Sequence, residues 1–425
     1  MNGTPPKSHV VVIGAGPAGM SAAVHAARLG ARVTLVDDNR EVGGQIWRGA
    51  KSEQARRLQH ELRKLGVSCL NACTVHRIER HERFLIQLVS DSGVSTSGVS
   101  KIHADRLILA CGARELLLPF QGWTTPGVFG LGGLQAMIKG GLDVRGKRIA
   151  LVGSGPLMLA VASVIRDAGG TPVAYVEQAR LSCVLSALGV LARHPSKWEQ
   201  FAEYMNALHG VPRRFGCIPV GVTRDQCLNL EITDGIRRET IGADMIACGF
   251  GLVPNLQLAH VLGCDVRRGV VVDRLQRSSV GGVLCAGEVC GIGGVDAAVA
   301  EGAIAGIVAA GADPSVDLLR QRDRARKFVR ELGECFALDA RIRTMSHHDA
   351  ILCRCEDVKV GALWASRSWR ELKLQHRCGM GVCQARVCGP AVEALTGWMV
   401  QDYRPPAAAI KVSELIEILK EHHDT

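Results

Sequence analysis

Residues Val10 to Gly19, VVVIGAGPAG, constrain this chain more than any other stretch. A run of β-favouring residues enters Gly14, Gly16 and Gly19 at G-x-G-x-x-G spacing. A helical pattern follows from Met20 to Leu29, then an apolar strand, Arg32 to Val36, that ends on Asp37. Each glycine has its own task. Gly14 allows the tight turn, Gly16 lets a pyrophosphate approach the backbone, and Gly19 lets the helix pack on the strand. Pro17 and Ala18 lie between them, where a helix N-terminus offers free N–H groups and partial positive charge to phosphates. Asp37, with Asp38 beside it, sits where a carboxylate accepts from the ribose hydroxyls of an adenosine. A chance glycine-rich turn would lack the strand, the helix and the acid in this order.

The pattern recurs from Lys147, in KRIALVGSGPLMLAVASVIRDAGGTPVAYVEQ. Gly153 and Gly155 match the first two glycines, and the second strand ends on Glu177. Met158 stands in for the third glycine, so this helix must pack further from its strand. The result is an internal repeat of a dinucleotide-binding unit, inserted into the first. An acid at the ribose position favours a free 2′-hydroxyl, hence NAD(H) over NADP(H), or ATP. The alternative is a fold kept for packing with no nucleotide bound.

Between and after these units the chain reads as a continuation of the same fold. Gly43 and Gly44 make a turn, with Gln45 within reach of a flavin or ribityl edge. Residues 52 to 65 read as an amphipathic helix, and 67 to 104 as short strands with a Ser/Gly-rich hairpin. Arg106 to Gly112 is a buried strand ending in a small-residue turn that brings Ala110 and Gly112 into the cofactor-binding set. A Pro- and Gly-rich loop then crosses between domains. Residues 181 to 209 look helical and 211 to 247 look like short strands. Next come a buried strand, a Gly287–Glu288 turn, and a long Ala-rich helix from about Asp296. Gly293 and Gly294 precede that helix and make a second place for phosphates or flavin carbonyls. Residues 312 to 345 form a basic connector. Its Arg320 to Arg330 run reads as a solvated helix face, or more sharply as a contact for an acidic partner.

Length and composition bound the class. The chain has 425 residues, enough for two or three domains. Aromatics are only 4%, which argues against a base-stacking surface for nucleic acid. The net charge of +10 is spread rather than blocked. MNGTPPKSH is a polar tail with no export signal, and no stretch of about eighteen apolar residues could span a membrane. A reducing cytoplasm is expected, with peripheral membrane association left open. The 16 cysteines are therefore not read as disulfides. Cys111, Cys248 and Cys285 read as small core residues, and Cys285 and Cys290 as strand and loop residues rather than ligands.

Leu352 to Pro390 is different, because it gathers five cysteines: Cys353, Cys355, Cys378, Cys383 and Cys388. Thiolates this close suit zinc or an iron–sulfur cluster. C-x-C is unusual for a zinc knuckle. A ligand opening a helix, as Cys388 does in GPAVEALTGWM, favours a cluster, whose negative charge the helix N-terminus would stabilise. Cys378/Cys383 and Cys383/Cys388 have the same spacing, so spacing does not choose between them.

These residues carry a resemblance over nearly the whole chain. VVIGAGPAGMSAA, GGQIWRG, LILACGARE, ACGFGLVPN and AGEVCGIGG resemble the flavin-dependent pyridine nucleotide-disulfide reductase superfamily. CRCEDV and RCGMGVCQARVC resemble the [2Fe-2S] domain of bacterioferritin-associated ferredoxin. Together they resemble the larger subunit of heteromeric FAD-dependent amino-acid and opine dehydrogenases. That group includes the larger subunits of octopine and nopaline oxidases, of hydrogen cyanide synthase and of D-hydroxyproline dehydrogenase. The resemblance implies FAD, and implies Cys353, Cys355, Cys383 and Cys388 as [2Fe-2S] ligands with Cys378 left over. It also implies a smaller D-amino-acid-oxidase-like flavoprotein partner, a small ferredoxin-like subunit, and FMN at a subunit junction. Two features depart from the superfamily. Glu288 stands where Asp is usual, and no C-x-x-C lies beside either nucleotide unit, which argues against disulfide reductase chemistry.

The expected fold is α/β: two nested Rossmann-like nucleotide-binding domains plus a small C-terminal helical [2Fe-2S] domain. The FAD domain spans 1–120 and 250–312, the inserted domain 121–249, a linker 313–344, and the cluster domain 345–425. The function read from this is that of an FAD- and [2Fe-2S]-containing subunit in a heteromeric dehydrogenase. Its substrate would be an amino acid or related secondary amine, with electrons passed to a quinone or other acceptor. A stand-alone NADH-dependent flavin/iron–sulfur reductase is the runner-up, and a non-enzymatic iron–sulfur sensor or assembly protein the third reading. No His/Asp or paired-carboxylate constellation offers a general base, so no catalytic residue is assigned.

Overall fold

The computed structural model of the chain describes residues 8–48, 52–90, 99–400 and 403–416. The Ser/Gly-rich hairpin tip at 91–98 and most of the N-terminal tail lie outside these residues. The chain forms two compact units. One comprises 1–114, 254–329 and 402–425, and the other 115–253 and 330–401.

The first unit is built on a five-stranded sheet in the order Val283–Cys285, Arg106–Leu109, His9–Ile13, Arg32–Val36, Ser68–Leu70. All neighbours run parallel. Its central strands are covered on both faces, which is why they read as unbroken Val, Leu and Ile rather than alternating. An antiparallel meander, Cys73–Arg80, Phe84–Ser90 and Val99–Ala104, flanks it. Helices Pro17–Arg28 and Gly294–Ala309 pack backbone to backbone. A Cβ at Gly302 would lie 2.1 Å from the Ala18 carbonyl oxygen, and one at Gly306 would lie 2.2 Å from that of Ala22. The small residues of both helices thus permit an approach that larger ones would prevent.

The second unit repeats the plan with a parallel sheet ordered Arg213–Phe215, Thr171–Glu177, Arg148–Gly153, Met245–Gly249, Val128–Gly130. A three-stranded antiparallel sheet, Ile218–Arg224, Leu228–Thr233 and Arg238–Ala243, accompanies it. Met158, in helix Leu157–Asp167, fills the interior with Ile149, Leu151, Val161 and Ile165. This is the packing role its side chain takes in place of a third glycine.

The cysteine-bearing segment belongs to this second unit. It has a hairpin, Ile351–Cys353 with Val358–Lys359, and helices Val360–Ala365, Trp369–His376 and Cys388–Thr396. The sequence reading set it apart as a domain starting at 345. Instead Leu352, Leu363, Trp369, Leu372 and Leu395 share one apolar core with Phe120, Trp123, Val152, Val176 and Leu230. Trp123 Nε1 donates to the Ile351 carbonyl at 2.6 Å, and Ser346 Oγ to that of Pro119 at 2.8 Å. The short helices cannot bury their apolar faces on one another alone, so they use the inserted sheet. Most of the expected linker is one helix, Val316–Cys335. Among the described residues no helix is long and apolar enough to cross a membrane.

Candidate functional site

Strand His9–Ile13 delivers the chain into Gly14 at φ +102°. A Cβ there would lie 2.3 Å from the Ala110 carbonyl oxygen, and one at Gly19 would lie 1.7 Å from that of Gly14. Both positions need glycine for close approach. Gly16 is different: its nearest neighbour is the Gly44 Cα, 4.0 Å from where a Cβ would sit. Gly14, Gly16 and Pro17 remain partly open, while Ala18 and Gly19 are buried on the packing side. The open glycine therefore lies at the start of helix Pro17–Arg28, where a phosphate is attracted.

Asp37 holds this turn in shape. Its carboxylate accepts from the Ala15 N–H, and from the Asn39 N–H at 2.8 Å. Asp38 is exposed and accepts from Asn39 Nδ2 at 2.9 Å. Gly43 donates to the Ala15 carbonyl at 2.8 Å, which lays the Gly43–Gly44 turn beside Gly16. Gln45 follows on the surface, its Oε1 accepting from Arg48 at 3.3 Å. Ala110 and Gly112 border the turn from strand Arg106–Leu109, and Asn255 fixes them by donating from Nδ2 to the Cys111 carbonyl at 2.8 Å. Burial, reinforced by Asp38 and Asp37, pushes the Cys111 thiol up to about 12. It is a neutral packing group and not a nucleophile.

The Gly287–Glu288 turn approaches the same helix. Gly287 has φ +80°, and a Cβ there would lie 2.7 Å from the Ala18 Cβ. Glu288 is half-buried; burial raises its carboxyl and Arg326 lowers it. Gly294 opens the Ala-rich helix at φ +70°.

A pair that the sequence reading missed holds this loop. Glu301, only 2% exposed, accepts from the Gly287 N–H at 2.9 Å and from Arg326 Nη2 at 2.7 Å. Arg326 also donates to the carbonyls of Gly291 at 2.6 Å and Gly287 at 3.3 Å. One guanidinium and one carboxylate thus tie both ends of the loop. The basic run is therefore not simply a solvated face. Arg322 is turned in as well, donating to Gln276 Oε1 at 3.0 Å. The available signal was Glu301, a lone acid in the middle of an Ala-rich helix, which needs a buried partner.

The second turn has the same skeleton. Gly153 has φ +149°, and a Cβ there would lie 1.8 Å from the Gly249 carbonyl oxygen. Glu177 is fully buried and accepts from the N–H groups of Gly155 and Ala179, both at 2.9 Å. Burial pushes its carboxyl up to about 7 against those hydrogen bonds. Like Asp37, Glu177 braces its own turn. Asp37 is 6% exposed, whereas Glu177 has no exposure at all.

Three of the five C-terminal cysteines form one tight group, which holds only two of the four expected ligands, Cys353 and Cys388. The sulfurs of Cys353, Cys378 and Cys388, all buried, lie within 4.8 Å of one another. The Cys383 thiol meets that of Cys355, which is exposed. A Cβ at Gly381 would lie 2.2 Å from the Cys355 Cβ, so a glycine is required for this loop to close. The four expected ligands thus form two adjacent pairs, Cys353/Cys388 and Cys355/Cys383. Cys378, which the resemblance left over, sits inside the group against Cys388. Soft sulfur donors in this number fit an iron–sulfur cluster.

Comparison with known proteins agrees with this architecture. The sequence profile of the pyridine nucleotide-disulphide oxidoreductases matches residues 8–302. The chain belongs to that family. It is therefore an oxidoreductase, and its relatives extend past the profile into the cysteine-bearing segment. An opine oxidase subunit (the A-type) of Rhizobium meliloti (strain 1021) is 30% identical, over 96% of this chain and 98% of the relative. The HcnB subunit of hydrogen cyanide synthase from Pseudomonas protegens is 29% identical, over 89% of each chain. Both relatives are named as subunits of larger enzymes. L-proline dehydrogenase from P. horikoshii shares the fold, with a TM-score of 0.66 at 19% identity, over 96% of this chain and 79% of that one.

Proposed function

We propose that this oxidoreductase is the FAD- and [2Fe-2S]-carrying subunit of a heteromeric dehydrogenase that oxidises an amino acid or related secondary amine, such as hydroxyproline, proline or an opine. The observation that carries the reading is the combination of two sites on one chain: an open glycine turn in the first unit and a gathered thiol group in the second. The name of one relative, an opine oxidase subunit, points to the same substrate class.

The residues have distinct roles in this reading. Gly14, Gly16, Pro17, Ala18 and Gly19 form the phosphate cradle, braced by Asp37 and bordered by Asp38, Gly43, Gly44, Gln45, Ala110 and Gly112. Gly287, Glu288 and Gly294 border the flavin from the other side, held by Glu301 and Arg326. Cys353, Cys355, Cys383 and Cys388 ligate the cluster. When bound, the flavin takes two electrons at once and the cluster passes them singly, toward a quinone or other acceptor. The sequence carries no C-x-x-C, the motif that disulfide reductase chemistry of this fold uses. The substrate's C–H chemistry belongs to a flavoprotein partner similar to D-amino-acid oxidases.

Anaerobic titration of the purified chain tests this. Dithionite should bleach flavin and cluster absorbance, NADH should bleach neither, and analysis should give about two iron atoms per chain for a [2Fe-2S] centre. Rapid bleaching by NADH would make the chain a reductase in its own right and overturn the proposal.

A further inference from the structure

The second glycine turn is covered by chain that follows it in sequence. In the first unit Gly14 and Gly16 are partly open, whereas Gly153 and Ser154 are buried and Phe336 lies over Gly155. The two turns otherwise share their spacing, their positive φ angles at the first glycine and their acid-to-turn hydrogen bond. The cover is formed by residues 336–339. The Phe336 carbonyl accepts from Ser154 Oγ at 3.3 Å. A Cβ at Gly155 would lie 3.9 Å from the Phe336 Cβ. Phe336 thus rests on the glycine that a pyrophosphate would have to approach.

Gln178 fastens the cover from the other side. It follows Glu177 directly and is fully buried. Its Nε2 donates to Ser154 Oγ at 3.0 Å and to the Ala337 carbonyl at 2.9 Å. Its Oε1 accepts from the Asp339 N–H at 2.8 Å. Asp339 pairs with Arg341 at 2.9 Å, and Arg341 donates to the Asp234 carbonyl at 2.7 Å. The cover is therefore bonded at Phe336, Ala337 and Asp339 and continues directly into the cysteine-bearing segment.

A dinucleotide needs an accessible second glycine, a free N–H at the turn and an acid available to the ribose. Here Gly155 is covered by Phe336, its N–H is given to Glu177, and Glu177 itself is fully buried. We propose that residues 336–339 are the built-in occupant of the second nucleotide turn. This unit takes neither NAD(H) nor ATP. It has become the anchor that fixes the entry into the cysteine-bearing segment. The proposal does not depend on the electron-carrying reading, because its test measures binding and exchange rather than reduction.

The test uses the purified full chain. Calorimetry with NADH, and separately with ATP, should show no saturable binding up to about 1 mM, the top of the usual substrate range. Amide exchange in the peptide covering Asp339 should be slow, and Gln178→Ala should speed it by roughly tenfold or more as the local opening free energy falls. Pro156→Glu gives the discriminating control. Pro156 is exposed at the N-cap of helix Leu157–Asp167, so a carboxylate there leaves the core intact and repels a phosphate at the turn. Saturable binding that Pro156→Glu weakens about tenfold or more would place a nucleotide at this turn and overturn the proposal. Binding indifferent to Pro156→Glu lies elsewhere and leaves the turn closed, as proposed. Fast exchange at Asp339 in the unaltered chain would also overturn it.

Discussion

Arg326→Met should loosen the first unit where it matters for flavin retention. Methionine keeps much of the length of the side chain and removes the charge. Glu301, 2% exposed, would then keep the Gly287 N–H and lose its cationic partner, and the Gly287 and Gly291 carbonyls would lose their donor. Removing one member of a buried ion pair costs about 3–5 kcal/mol. Arg326 itself is 24% exposed, so water partly compensates and the lower end, about 3 kcal/mol, is expected. The pair ties a loop rather than a strand, so the loss falls first on the closed form of residues 287–291. If that form borders the flavin, FAD affinity should fall by about a hundredfold, at 1.4 kcal/mol per decade. Fluorescence titration of flavin-stripped protein with FAD reads this directly, and urea unfolding gives the global share. Arg326→Met with Glu301→Gln keeps an acceptor for Gly287 and removes the stranded charge, so it should recover most of the loss. Unchanged FAD affinity in the single variant, or a double variant no better than the single, would refute the reasoning.

Two further outcomes follow from the second unit. The Glu177 carboxyl is raised from 4.5 to about 7 in the folded chain, so the native state holds a proton that the unfolded chain releases. Its stabilising contribution is full below about pH 4.5 and is lost as pH rises through about 7. Urea midpoints across that window should therefore decline with pH, and Glu177→Gln should flatten the decline. For the thiol group, Cys378→Ser should retain iron and acid-labile sulfide while Cys353→Ser and Cys388→Ser lose both. Iron lost from Cys378→Ser but kept by Cys355→Ser would reassign the ligands.

What the sequence disclosed was local. Gly14, Gly16 and Gly19 follow a strand and open a helix within a dozen residues, so pattern and structure coincide. The repeat at Gly153 was equally legible as a fold, because its strands and helix are also local. Its closure was not. Residues 336–339 read FALD, an unremarkable stretch, and only the folded chain brings them to Ser154 and Gln178. The same holds for Arg326. A basic amphipathic run is usually a solvated face, and which arginine turns inward depends on what the helix docks against. The cysteine-bearing segment reads as self-contained in the sequence because its closely spaced cysteines set it apart and resemble those of a ferredoxin domain. Nothing in those spacings records that Leu352 and Trp369 complete a core begun at Phe120 and Val152.

The two units are interleaved along the chain, and this sets an order for biosynthesis. The first sheet is completed by Val283–Cys285, and its cofactor loop is latched only when Arg326 has been made. By then all of 115–253 has left the ribosome, still lacking the 330–401 segment that fills its core and covers its glycine turn. Each unit must wait, partly open, for chain synthesised after the other. Flavin capture is consequently a late event in the life of the nascent protein. A premature stop anywhere before about residue 330 leaves two unfinished halves rather than one working module. The same interleaving means that neither half can be moved to a new protein by cutting out a single stretch of gene.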